Sequence, residues 1–117
     1  MDERRVVYLE HARAVRRYLR AVERRREIEE GEDWRASSRY ADFVEVASRI
    51  VAGSKRELAE LREELKKSDD VLDRVYYYTI VEKQKADYIA KMTGYSRRQI
   101  CRYQRQIKEN IKWSVTR

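Results

Sequence analysis

Apolar residues recur by threes and fours along most of the chain, the spacing of helices packed on one face. Over residues 3–30, Val7, Tyr8, His11, Val15, Tyr18, Leu19 and Val22 share a face, Ala14 and Ala21 lie beside it, and the other side is charged. This predicts one helix, roughly 40 Å long at about 1.5 Å per residue. Its stripe is long enough to serve a second copy of the chain as well as an internal core. Glu27, Glu29 and Glu30 sit at the wrong end for the helix macrodipole, so the last turn is expected to fray before Gly31. Residues 31–37, Gly-Glu-Asp-Trp-Arg-Ala-Ser, have the small and polar character of a connector.

A second helix is predicted from about Ser38 to Ala52, burying Tyr40, Phe43, Val44, Ala47, Ile50 and Val51, with Gly53 as its stop. Ser54 and Glu57 then form a capping-box pattern, which predicts a third helix carrying Leu58, Leu61 and Leu65 inward. A fourth starts near Ser68 or Asp69 and presents Val71, Leu72, Val75 and Tyr78 before a break at Lys83 to Lys85. Of the adjacent Tyr76, Tyr77 and Tyr78, which face three directions on a helix, Tyr78 is assigned to the core.

The next block is Gln-Lys-Ala-Asp-Tyr-Ile-Ala-Lys-Met-Thr-Gly-Tyr-Ser-Arg-Arg-Gln-Ile-Cys-Arg-Tyr, from Gln84 onward. It has the order of a helix-turn-helix. Ile89 and Ala90 supply the apolar and small pair where two helices cross closely, and Gly94 supplies the turn, lacking the Cβ that opposes positive φ. Tyr95 can anchor the turn, and Ser96 with Gln99 three residues on completes a second capping box. Ile100, Tyr103 and Ile107 return at helical spacing toward the core, which leaves Arg97, Arg98, Cys101, Arg102 and Arg105 facing outward.

The composition agrees. The chain has 117 residues, 42% of them charged, with three glycines and no proline, a balance that favours an all-α protein. The fold expected is a helical bundle with a long N-terminal helix and a C-terminal helix-turn-helix. A helical and oligomerising region spans 1–82 and a DNA-binding region spans 83–117, together forming one compact unit. The net charge of +7 is concentrated at one end: residues 83–117 hold ten basic and two acidic side chains. Such a basic end is the electrostatic footprint of a nucleic-acid binder, since each cation that meets a phosphate releases condensed counterions.

The partner expected is therefore double-stranded DNA. Ser96, Arg97, Arg98, Cys101, Arg102 and Arg105 form the candidate reading surface, because the first turns of a recognition helix reach base edges in the major groove. A guanidinium can bond both acceptors of a guanine, so Arg97, Arg98 and Arg102 are the candidates for base reading. Arg105, Lys91 and Lys108, with Lys85, Lys112 and Arg117, are candidates for phosphate contacts that position without specifying, and Tyr88 and Tyr95 can add hydroxyl bonds.

The block Asp-Tyr-Ile-Ala-Lys-Met-Thr-Gly-Tyr-Ser-Arg-Arg-Gln-Ile-Cys-Arg resembles the C-terminal helix-turn-helix of small phage-encoded regulators of the ArpU and RinA kind, which are themselves similar to sigma-factor region four. The helical N-terminus and the Ala47-Ser48-Arg49-Ile50 segment agree more loosely. The resemblance implies control of phage late genes through promoter DNA, with host RNA polymerase as a further candidate partner. A homodimer is expected, since one such motif reads few bases. The competing readings are a small terminase subunit, which joins the same motif to ring-forming helices, and a helical adaptor that binds no DNA.

Other residues carry less. His11 has no second histidine or cysteine at ligand spacing, so no metal is expected, and no cofactor. Cys101 cannot form an internal disulfide, no apolar run is long enough to span a membrane, and the N-terminus lacks a secretory core, all of which fit the cytoplasm. Arg24, Arg25 and Arg26 are read as a solvated face, and Trp34 and Trp113 as packing anchors. No constellation of an enzyme is found.

Overall fold

The computed structural model describes the backbone of residues 3–115 and the side chains of residues 8–111. The expectations placed on the side chains of Val7, Lys112, Trp113 and Arg117 lie outside the described residues. The helices are α1 (Glu3–Glu30), α2 (Glu32–Arg35), α3 (Tyr40–Lys67), α4 (Val71–Tyr76), a π-helical segment (Tyr77–Val81), α5 (Ala86–Thr93) and α6 (Arg97–Val115). The protein is all-α, with no strand among the described residues. No described helix is long and apolar enough to cross a membrane.

Two compact units emerge: His11–Glu60, and Met1–Glu10 together with Leu61–Arg117. The helices immediately before the helix-turn-helix share its core.

In the unit His11–Glu60, α1 and α3 run antiparallel across the α2 connector, as the Arg17–Glu57 ion pair at 3.8 Å requires of two helices joined at Gly31 to Arg39. The buried line on α1 is Ala14, Ala21 and Ile28, and on α3 it is Ala47, Val51 and Leu58. Alanines at a spacing of seven let helices approach closely, so the seam is narrower than the apolar stripe suggests. Leu19, placed inward from the sequence, is 57% exposed because it stands beyond that seam. Ile50, also placed inward, is 54% exposed beside Val46, while Tyr40, Phe43 and Val44 are half-buried. His11 is buried on the stripe as expected.

Two further expectations are corrected. The last turn of α1 is helical to Glu30: Arg35 donates from Nε to the Glu29 carbonyl at 2.8 Å, and Arg24 and Arg25 pair with Glu27 and Glu29. These cations supply the positive charge that the acidic last turn lacks. Trp34 does anchor the connector, its ring edge-on to Phe43 at 5.2 Å and beneath the Arg24 guanidinium at 5.0 Å.

The second correction concerns Gly53 and Ser54, which neither stop nor start a helix but lie inside α3. Val51, Leu58 and Leu65 stay in phase at a spacing of seven across the glycine, and burial of that line overrides the local stop signal. Nothing lies within 4 Å of where a Cβ at Gly53 would stand. Gly53→Ala is therefore expected to raise stability by about 0.5–1 kcal/mol, read as a higher urea midpoint by circular dichroism. A lower midpoint would show the glycine to be needed.

The other unit closes around Leu65, Leu72, Val75, Tyr76, Tyr78, Ile89, Ile100 and Ile107, with Tyr8 from the start of α1 stacked on Tyr76 at 4.5 Å. Asp70 caps α4 by accepting from the Leu72 amide at 2.9 Å, and Ser68 donates to Asp73 at 2.7 Å. Beyond Tyr76 the backbone widens, the Glu82 amide reaching back five residues to the Tyr77 carbonyl at 3.1 Å. Tyr76, the last residue of α4, shares a face with Leu72 four residues before it and is buried with it; Tyr78 is buried within the widened turn, and Tyr77 is half-buried. Burial pushes the Tyr76 phenol up to about 12, partly offset by Arg62. The segment ends at Lys83, which adopts φ 54° and breaks the helix where the sequence predicts a break.

Candidate nucleic-acid interface

The turn between α5 and α6 is built from three residues, Gly94, Tyr95 and Ser96, and each has a separate task. Gly94 takes φ 80° and ψ 3° and ends α5, its amide donating to the Ala90 carbonyl at 2.9 Å. A side chain there would meet no neighbouring atom but would have to hold a left-handed backbone. Tyr95 packs edge-on against Tyr103 at 5.9 Å, tying the turn to the second turn of α6. Ser96 accepts from the Gln99 amide at 3.2 Å, the capping bond expected, while the Gln99 side chain remains exposed.

Both helices are held from beneath. Ile89, Ile100 and Ile107 are all 0% exposed, and Ala90 packs against the same core. Thr93 donates back to the Ile89 carbonyl at 2.7 Å, closing the last turn of α5. Gln104 donates to the Thr79 hydroxyl at 3.2 Å and so links α6 to the π-helical segment. A face of α6 fixed by Ile100 and Ile107 leaves the opposite face pointing away from the protein.

That outer face holds the residues singled out in the sequence. Arg98, Arg102 and Arg105, spaced by four and three, form one exposed stripe on α6, and exposed Cys101 lies beside it. Ser96 and Arg97 are exposed at the turn, Lys108 is exposed one helical turn beyond Arg105, and Lys91 and Lys85 are exposed on and before α5. Tyr88 is partly exposed and edge-on to Tyr78 at 6.0 Å, while Tyr95 is half-buried. No family model matches the chain, and no curated protein or solved structure does.

What the surface can do follows from its own electrostatics. The first residues of α6 are Arg97 and Arg98, and no acidic residue occupies its first turn. Unpaired amides and the macrodipole already make a helix N-terminus positive, so an arginine there costs helix stability unless an anion meets it, and Arg98 stands beside Arg97 in that position. A polyanion would relieve that conflict and would find the stripe Arg98, Arg102 and Arg105 along the same helix. One residue was not anticipated from the sequence. Asp87, in the first turn of α5, pairs with Arg97 at 2.9 Å from Oδ1 to Nε, with both side chains more than 70% exposed. The nine intervening residues hide this pair from any helical-spacing rule.

Proposed function

We propose that this is a sequence-specific double-stranded DNA-binding protein that docks α6 in the major groove, and that it acts as a phage-type regulator at late-gene promoters. The observation that carries the DNA reading is the pair of arginines on the acid-free first turn of α6, leading into an exposed arginine stripe. A short helix joined to a longer one by a three-residue turn containing glycine is the arrangement by which a second helix is offered to a groove. Arg98 and Arg102 are the foremost base readers, each able to engage both acceptors of a guanine. Arg105, Lys91 and Lys108 hold phosphate. The regulatory role rests on the resemblance of residues 87–102 to phage regulators. A homodimer would supply two half-sites, and the host cytoplasm would be its compartment.

Selection of bound duplex from a random pool, followed by titration of the enriched site, tests this. The logarithm of affinity is expected to fall against the logarithm of salt with a slope of about −3.5 to −5.5, at about −0.9 for each of four to six phosphates contacted. A flat salt response, or a pool that shows no enrichment, would overturn it. Light scattering checks the assembly: a ring of many copies favours packaging-site recognition over promoter control.

A further inference from the structure

We propose that Asp87 is a positioning residue for sequence discrimination, holding Arg97 so that one guanine edge is read with a fixed geometry; this rests on the DNA-binding reading above. The carboxylate lies 2.9 Å from Nε of Arg97. A guanidinium is planar and presents two usable edges, one through Nε and one between its terminal nitrogens. With the Nε edge taken by Asp87, the terminal pair is the edge left for a second bidentate partner, and guanine O6 and N7 match it. Only two acidic residues occur among 83–117, Asp87 and Glu109, against ten basic ones. A surface that merely gripped phosphate would be weakened by a carboxylate beside its leading arginine. Kept there, it lowers affinity for every duplex and repays that loss only where Arg97 finds its base.

An exposed ion pair contributes little to folding, so the pair's effect is expected in recognition and not in stability. It spans α5 and α6, which limits the rotamers of Arg97 before DNA arrives and leaves less side-chain freedom to be lost on binding.

The test uses the full chain with its selected duplex and the set of single-base variants of that site. Asp87→Ala is expected to reduce discrimination at one base pair by about 10-fold, the order set by loss of one bidentate contact. Affinity for unrelated duplex should rise by about two- to threefold, as one phosphate-repelling charge is removed. In an Arg97→Ala background the same change should alter discrimination at that base pair by nothing measurable. Asp87→Ala tightening all duplexes equally with discrimination intact, or acting alike with and without Arg97, overturns the proposal. Failure of the unaltered chain to bind any duplex is a separate result that removes the DNA-binding reading, and this proposal with it.

Discussion

Arg98→Glu is expected to make the free protein more stable while it lowers DNA affinity by about 100-fold. The two effects come from the same place. Arg98 is the second residue of α6, in a first turn that holds no acid. A carboxylate there would meet the positive end of the macrodipole and the unpaired amides beyond the Ser96 cap, for a gain of about 0.5–1 kcal/mol. On DNA the change removes a contact valued at about 1–3 kcal/mol and adds a charge that repels phosphate. Arg98→Ala separates the parts, since it loses the contact without the repulsion. Calorimetric melting of the free protein and fluorescence anisotropy with the selected duplex, at one fixed salt concentration, check both halves. A variant that melts lower and binds as before would place the DNA surface elsewhere.

Ile100→Ala is expected to remove about 2–5 kcal/mol from the unit that carries α6. Ile100 is fully buried, one helical turn from the arginines, in a core formed with Ile89, Ile107, Val75 and Tyr76. Truncation leaves a cavity beneath the very turn that must present Arg98, so folding and DNA binding should fail together. Denaturant unfolding followed by far-UV circular dichroism gives the first, and titration at a temperature where the variant remains folded gives the second. A loss below about 1 kcal/mol would mean that the isoleucine does not fix the helix.

The elements with a local signal were legible. Glycine at 94, serine at 96 and isoleucines at 89, 100 and 107 each state a backbone or burial requirement that neighbours alone can satisfy, and the structure meets all of them. Gly53 and Ser54 misled because a stop and a cap are local hints worth about 1 kcal/mol, while the seam Val51, Leu58 and Leu65 is a longer-range demand. Its unbroken spacing was present in the sequence and outranks the hints. Leu19 and Ile50 were placed inward for a related reason: hydrophobicity marks a face, but only the partner helix decides how wide a strip of it is covered, and here the strip follows small alanines. Tyr76 stands four residues after Leu72 on α4, so its burial was readable from that spacing, and assigning Tyr78 alone of the three tyrosines to the core left it out. The Asp87–Arg97 pair depends on how two helices meet across a turn, which no single-helix pattern encodes.

Tyr8 and the last helix belong to one core although nearly the whole chain lies between them. During synthesis this tyrosine must wait without its seat until Leu72 to Ile107 have left the ribosome, whereas the hairpin of residues 11–60 can close on neighbours already made. The arginine stripe is thereby completed after that hairpin, and a chain cut short before α6 leaves the apolar surface of Leu72, Val75 and Ile89 open.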